Sequence, residues 1–521
     1  MQKEHNSSKS TFKYIVFISF LICFAKILGV LKQIIIASAF GANATTDIYF
    51  AADGFTSTLA QILSTAILPA VVTEYIYVKN KYNDGDIRSK RVIRQAFSFF
   101  AIIGFLLTLL SILLSPFIAK LVGISFSENE QKTLTFFIIG LSPAILVSSI
   151  NAVAQGYLNA NNNYIPGKTL GLFYSVFTII CIFLLKDYFG VVSMVIGFLA
   201  GYLLHTIFIL FFIRKKVPLF GGNFLKNPDF RHLMLTFLPI LISVSIVDIG
   251  HLIDRIVASS LPEGNLSILN YAQVLSTDLV NAIIITAVGT VLLTSYSNKL
   301  SVIRNLEETK NDINHAILHL SFFIVLISAL YYIEGQDLID ALLKRGNFSD
   351  NNAFSTYSVV IYYVCGFEFM AINEVLIKIH YSFQNTKAPL INSAIGVGLN
   401  VVLSVLFSKA FGLKGIALAT SVSLFVIMVL SLITIRKHIK STLFKSTTIF
   451  DFSKTVIAAV ITARLGLIIK NGLNGASPVA VLLVVGFSMT SIYLFVNICL
   501  NQKTMSTFFD YVKKRFAKQN N

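Results

Sequence analysis

Lys26-Ile-Leu-Gly29-Val-Leu-Lys32, running on through Ala37-Ser-Ala-Phe-Gly41 to Asp47, sets two lysines inside a run otherwise suited to hydrocarbon. At 1.5 Å per residue, a helix starting near Lys13 carries Lys26 roughly 20 Å inward, about the middle of a bilayer. An ammonium there costs several kcal/mol unless it meets water, a partner or an anionic ligand, which makes Lys26 and Lys32 candidate functional residues. The plainer alternative is a side chain that snorkels to the interface or pairs with an acid on another helix.

The rest of the chain has the same character. Of 521 residues, 55% are hydrophobic and 13% charged, with a mean hydropathy of +0.75. Soluble domains carry about 25% charged residues, so the sequence specifies an all-α, polytopic membrane protein. The net charge of +17 does not indicate nucleic acid, because the basic residues fall between apolar segments and form no basic domain. Cys23, Cys181, Cys365 and Cys499 are far apart in apolar runs and read as small hydrophobes. The polar stretch 1–11 leads into a long apolar run without a small-residue cleavage site, and is expected to be a cytoplasmic tail.

Apolar segments of helix length recur near 12–39, 47–73, 92–119, 133–157, 165–185, 190–213, 232–260, 268–294, 314–334, 354–382, 389–409, 413–435, 452–471 and 478–500, about 14 transmembrane helices. Basic clusters follow the second span (Lys79, Lys81, Arg88, Lys90, Arg91, Arg94), the sixth (Arg214, Lys215, Lys216, Lys226, Arg231), the eighth (Lys299, Arg304, Lys310) and the twelfth (Arg436, Lys437, Lys440, Lys445). The tail adds Lys503, Lys513, Lys514, Arg515 and Lys518. All lie on the side of both termini, which the positive-inside rule makes the cytoplasm.

The chain also repeats itself. Ala37 to Ala51 aligns without a gap on Ala258 to Ala272; the turn 159–166 aligns on 382–389, and 189–215 on 411–437. The three offsets are about 221, 223 and 222, too nearly equal to be chance. Spans 1–6 and 7–12 therefore form two pseudo-symmetric six-helix lobes, followed by two C-terminal helices. The expected divisions are 1–231, 232–450 and 451–521. Both copies enter the membrane in the same direction, which predicts lobes related by an axis along the membrane normal with a cavity between them, an arrangement suited to a transporter.

No enzyme signature is present. Pro166-Gly167-Lys168-Thr169 lacks the earlier glycine of a phosphate loop, since that place is Asn162. His205, His251, His319 and His380 stand singly without metal spacing, so neither a metal nor a bound cofactor is expected. Charge within the spans is the informative feature. The candidate substrate-binding residues are Lys26, Lys32 and Asp47 in the first lobe, with Asp254, Arg255, Glu374 and Lys378 in the second. Asp254 and Arg255 are about 100° apart on their helix and address different neighbours, whereas Glu374 and Lys378 can pair along one face. Asp248 is the candidate for coupling to Na+ or H+, since hard cations prefer carboxylate oxygen; a hydrogen bond to His251 is the alternative. Cations in a central cavity imply an anionic substrate such as a phosphate or diphosphate, and a lipid tail could remain in the bilayer through a gap between lobes.

Ile27-Leu-Gly29-Val-Leu-Lys32, Phe40-Gly41, Thr46-Asp47 and Ile67-Leu-Pro69 resemble the opening of the MurJ (MviN) family of lipid-linked peptidoglycan precursor flippases. The resemblance continues through 252–264 and Leu269-Asn-Tyr-Ala272, Arg345-Gly-Asn-Phe348, Tyr381 to Pro389 and Gly415 to Ser421. It implies the fold of the multidrug and oligosaccharidyl-lipid exporter superfamily, alternating access in the bacterial cytoplasmic membrane, and an undecaprenyl-diphosphate-linked glycan as substrate. The remaining partners would be membrane lipids and other cell-wall synthesis proteins. The chain departs from the family pattern at Lys26 and Lys32 (usually Arg), Ala60-Gln61 (an Arg pair), Thr65 (an acid), Gln273-Val274 (Asp-Arg) and Glu374 (a basic residue). Two rivals therefore stand beside a peptidoglycan precursor flippase: a flippase for another undecaprenyl-linked glycan of capsule or exopolysaccharide, and an ion-coupled small-molecule exporter. A membrane glycosyltransferase would need a larger external loop than 335–353.

Overall fold

The computed structural model describes residues 2–224, 227–282, 284, 306–383, 385–439, 443–473 and 475–506. Among these the chain is helical throughout. The first span is α1 (Gln2–Phe40) and the second α2 (Ala44–Lys81). The third is α3 (Gly85–Leu113), which breaks before a short α4 (Ser115–Val122) because Pro116 cannot continue the ladder. The fourth is split at Ser142-Pro143 for the same reason, into α5 (Glu128–Leu141) and α6 (Pro143–Ala160). A single turn, α7 (Ile165–Lys168), precedes α8 (Leu170–Phe189), α9 (Val192–Ile213) and α10 (Pro228–Ser259), the fifth to seventh spans. The eighth opens with α11 (Asn265–Gln273) and a π-helical turn (Val274–Asp278). Its far half lies outside the described residues, as do Lys299 and Arg304 after it, Lys226, Lys440 and the tail lysines beyond 506.

The ninth span is α12 (Leu306–Leu343). The tenth comprises α13 (Asp350–Val364) and α14 (Phe367–Ser382), bent by 43° at Cys365-Gly366. Then come α15 (Lys387–Phe411), α16 (Leu413–Ile439), α17 (Ser446–Gly472) and α18 (Pro478–Cys499). Among the described residues, twelve helical stretches are long and apolar enough to cross a membrane, and the bent pair makes a thirteenth. With the partly described eighth span, this accords with the fourteen expected from sequence.

The repeat is visible in backbone geometry. Gly190 ends α8 at φ 54°, ψ −133°, and Gly412 ends α15 at φ 60°, ψ −139°. Each donates its N–H to the carbonyl four residues back, on Lys186 and Ser408 respectively. Only glycine adopts this region without strain, so the same turn recurs 222 residues later.

The chain separates into two compact units, residues 1–270 and 271–521. In the first, α2, α3, α6, α9 and the start of α10 share a core of Ile67, Tyr75, Phe97, Phe100, Tyr157 and Phe237. In the second, Phe322, Ile333, Ala458, Val485, Met489 and Tyr493 join α12 to α17 and α18. At the start of α12, just before the ninth span, Glu307 binds Lys310 and Lys445, which hold its carboxyl below the usual carboxylate range. Large apolar side chains such as Phe105, Phe183, Leu184, Ile207, Leu483 and Phe487 are more than half exposed. Such surfaces are untenable in water and required in lipid.

Candidate functional site

The most densely functional region of the first unit begins where α1 turns into α2. Gly41, at φ 75°, ends α1. Asn43 then caps α2, its side chain accepting from the Thr45 and Thr46 N–H groups while Thr46 Oγ1 accepts from the Asn43 N–H. The repeated counterpart of this turn, around Gly264, packs directly on it. Gly264 sits at φ 85°, and a Cβ there would lie 2.9 Å from the Ala42 carbonyl oxygen. Asp47 fastens the two turns: it accepts the N–H of Gly264 (2.7 Å), the N–H of Ser267 (2.7 Å) and the Ser267 hydroxyl (2.5 Å). At the other end of the α2–α10 pair, His232 Nδ1 meets Glu74 Oε2 at 2.5 Å and the Tyr82 hydroxyl donates to Asp229. The two helices are held at both ends.

Between those fastenings lie three charged side chains from three spans. Lys32 of α1 is 5% exposed, and its Nζ stands 3.7 Å from the centre of the Tyr174 ring on α8. Asp53 of α2 acts electrostatically on it with attraction, and Arg255 of α10 with repulsion. Arg255 reaches α2 by lying across Gly54: a Cβ at that position would be 2.8 Å from both Cδ and Nη1 of the arginine. Asp53 Oδ1 and Arg255 Nη1 are buried and have no hydrogen-bond partner among the described residues. The Tyr202 ring packs against that of Tyr174 at 6.0 Å between centroids, and with Tyr49 nearby the cluster has an aromatic wall. Two cations and one carboxylate leave a surplus positive charge, and a buried guanidinium N–H is available to an acceptor. Chemically this is a receptor for an anion, with a ring face that reduces the cost of burying the ammonium by about 1–2 kcal/mol.

The other expected site residues are distributed as follows. Lys26 is exposed on α1. It precedes Lys32 by six residues, about 240° of helical rotation, so the two lysines cannot share a face. Asp47 is buried, with its oxygens bonded to the neighbouring turn. Asp254 is 1% exposed and faces away from its neighbour Arg255, as the 100° step requires. Asp248 Oδ2 is buried without a hydrogen-bond partner among the described residues. Glu374 and Lys378 belong to the second unit and approach each other at 4.0 Å along α14. His205 bonds the Pro166 carbonyl and His380 the Thr434 hydroxyl, both interior placements.

Asp53 is not among the site residues expected from the sequence. The available signal was an acid followed by glycine within an apolar span, a small gap beside a charge. Tyr49, Tyr174 and Tyr202 gave no signal, since aromatic residues are common in such spans.

Comparison with known proteins fits this architecture. The family described as lipid II flippase MurJ matches residues 36–493. A probable lipid II flippase MurJ from Vibrio cholerae serotype O1 is 25% identical over 442 residues, covering 81% of this chain and 82% of that protein. One from Rhizobium tropici is 23% identical over 409 residues, covering 77% and 76%. A solved structure of lipid II flippase MurJ in an inward closed conformation superposes with a TM-score of 0.80 at 22% identity, covering 94% of this chain and all of that one. An inward-facing multidrug resistance transporter of the MATE family gives 0.65 at 14% identity, covering 81% and 98%. The family match takes in most of the chain, and so the chain belongs to the MurJ lipid II flippase family.

Proposed function

We propose that this protein carries an undecaprenyl-diphosphate-linked peptidoglycan precursor, lipid II, from the inner to the outer leaflet of the bacterial cytoplasmic membrane by alternating access, with both termini in the cytoplasm. The observation that carries the reading is the buried set Lys32, Asp53 and Arg255, cationic in sum, with an unpartnered guanidinium nitrogen. A diphosphate offers two anionic groups to that lysine and arginine, and Asp53 moderates the surplus charge before substrate arrives. No bond in the substrate is made or broken, so the activity is transport and not enzymatic catalysis. Lys26, Asp254, Glu374 and Lys378 are further contacts along the path, and Asp248 is the place for Na+ or H+ coupling. Other cell-wall synthesis proteins are the expected partners beyond lipid.

A second reading is favoured by one specific feature. Ala60 and Gln61 stand where the family pattern has basic residues, which suits a glycan carrier with a different head group. Depleting the protein and identifying the undecaprenyl-linked intermediate that accumulates separates the two. Accumulated lipid II supports the first reading; a capsule or exopolysaccharide carrier replaces it with the second.

Gly54 provides a further check. Gly54→Ala puts a methyl group where the Arg255 side chain lies, and helix propensity favours alanine by about 1 kcal/mol. The variant is expected to accumulate at normal levels yet transport several-fold less, because Arg255 must leave its position. Gly54→Val should lose more. Normal transport by both, measured against immunoblotted protein levels, would remove the Arg255–Gly54 crossing from the site.

A further inference from the structure

The tenth span of the second unit breaks where a membrane helix can least afford it, and an acid sits at the break. Gly366 separates α13 from α14; its missing side chain admits Ser421 of α16, whose Oγ would be 2.8 Å from a Cβ there. Ser421 in turn donates to the Tyr362 carbonyl at 2.6 Å, supplying a hydrogen bond that the interrupted ladder no longer makes. Glu368 is the second residue of α14, next to the positive end of that helix's dipole. Its Oε1 accepts from the Ser321 hydroxyl of α12. Its Oε2 is buried and has no hydrogen-bond partner among the described residues.

Among the described residues, the surroundings of Glu368 are short of charge. From α18 the titratable neighbour is Tyr493, whose hydroxyl is committed to the Phe322 carbonyl at 2.7 Å. That helix contains no charged residue. Over Leu413–Ile435, α16 carries only Lys414, in its first turn, and α15 has only Lys387 and Lys409, near its ends. On α13 the one charged residue is Asp350, the first of the helix. Along α12 the flanking acid and imidazole are Glu334 and His319, 13 residues after and two before Ser321. Glu374, Lys378 and His380 of α14 itself are six or more residues further on, with Glu374 and Lys378 paired together. A carboxylate in this setting has one hydroxyl and one helix end to stabilise it; a carboxylic acid needs neither.

We propose that Glu368 is a proton-binding site at the hinge of the tenth span, taking up one proton on Oε2 and releasing it again. Binding converts the carboxylate to a neutral acid, with the Ser321 hydroxyl still donating to Oε1. Release restores a negative charge at the start of α14, where the helix dipole favours it, and so ties the charge state to the arrangement of the broken span. The site differs from the anion receptor in the first unit and from Asp248, and it does not depend on which glycan is carried.

Infrared difference spectroscopy of the purified full chain in lipid nanodiscs, titrated in pH, reads the site without any transport measurement. Wild type is expected to show the carbonyl band of a neutral carboxylic acid that disappears as pH rises and is missing from Glu368→Gln. In Ser321→Ala the band should remain with its midpoint raised by about one pH unit, a roughly tenfold tighter hold on the proton, because the charged form loses a donor. Identical spectra for wild type and Glu368→Gln overturn the proposal, as does loss of the band on adding Na+ at constant pH. Ser321→Ala keeps the carboxyl in place, so an unmoved midpoint overturns it even if Glu368→Gln fails to accumulate.

Discussion

Lys32→Met abolishes transport while leaving the protein inserted in the membrane. The substitution keeps side-chain length and apolar contact with Tyr174 but removes the ammonium that stands 3.7 Å from that ring. Asp53 then faces Arg255 alone, one charge against one, so the fold loses little. The anion loses one of its two cations. Removing one partner of a buried charge pair costs roughly 2–5 kcal/mol, which is about thirtyfold or more in affinity for the anion. Lys32→Arg should restore most of the activity, since it returns the charge and adds bidentate geometry. Complementation of a strain depleted of the protein, with levels measured in parallel, is the test. Full complementation by Lys32→Met would refute the assignment. Lys26→Met in the same assay decides whether the exposed lysine contributes as well.

Asp47→Ala produces the opposite pattern, a loss of stability that precedes any loss of activity. Three donors lose their acceptor: the N–H groups of Gly264 and Ser267 and the Ser267 hydroxyl. The hydroxyl still has Thr46 Oγ1 at 2.8 Å, but the two backbone N–H groups are left buried and unsatisfied. At about 1–3 kcal/mol each, the expected loss is roughly 2–6 kcal/mol. Thermal unfolding in detergent, followed by size-exclusion chromatography, should show a clear fall in the melting temperature. Asp47→Asn should lie between, because its amide carbonyl keeps one acceptor oxygen. An unchanged melting temperature for Asp47→Ala would separate this carboxylate from the joining of the two turns. With Lys32→Met, the pair distinguishes a residue that meets substrate from one that holds the frame around it.

Much of the frame is legible in the sequence because membrane insertion is a one-dimensional problem. Runs of about twenty apolar residues, with basic loops on one side, locate the spans, and equal offsets expose the repeat. Gly190 and Gly412 carry that repeat into backbone conformation. The breaks in the third and fourth spans follow from Pro116 and Pro143. Less legible was the break at Gly366, since nothing in the sequence of the tenth span says that Ser421 will fill the space beside it.

Depth along a span is therefore readable; direction around it is not. In a soluble helix the apolar stripe points to the core and the polar face to water. In a membrane helix both lipid and core accept the same side chains, so the pattern that would orient it is lost. Lys26, at mid-bilayer depth, read as the stronger candidate than Lys32 in the same apolar run, yet it is exposed and Lys32 is the one buried against Tyr174. Asp53 and Arg255, about 200 positions apart, come near enough to act on each other only because Gly54 lets the arginine lie across its helix. The sequence by itself determined the number of spans, the repeat and the cost of each buried charge. Tertiary packing alone decided which charges share a site, because helix rotation and the gap left by one glycine are set by neighbouring spans and not by the segment that contains them.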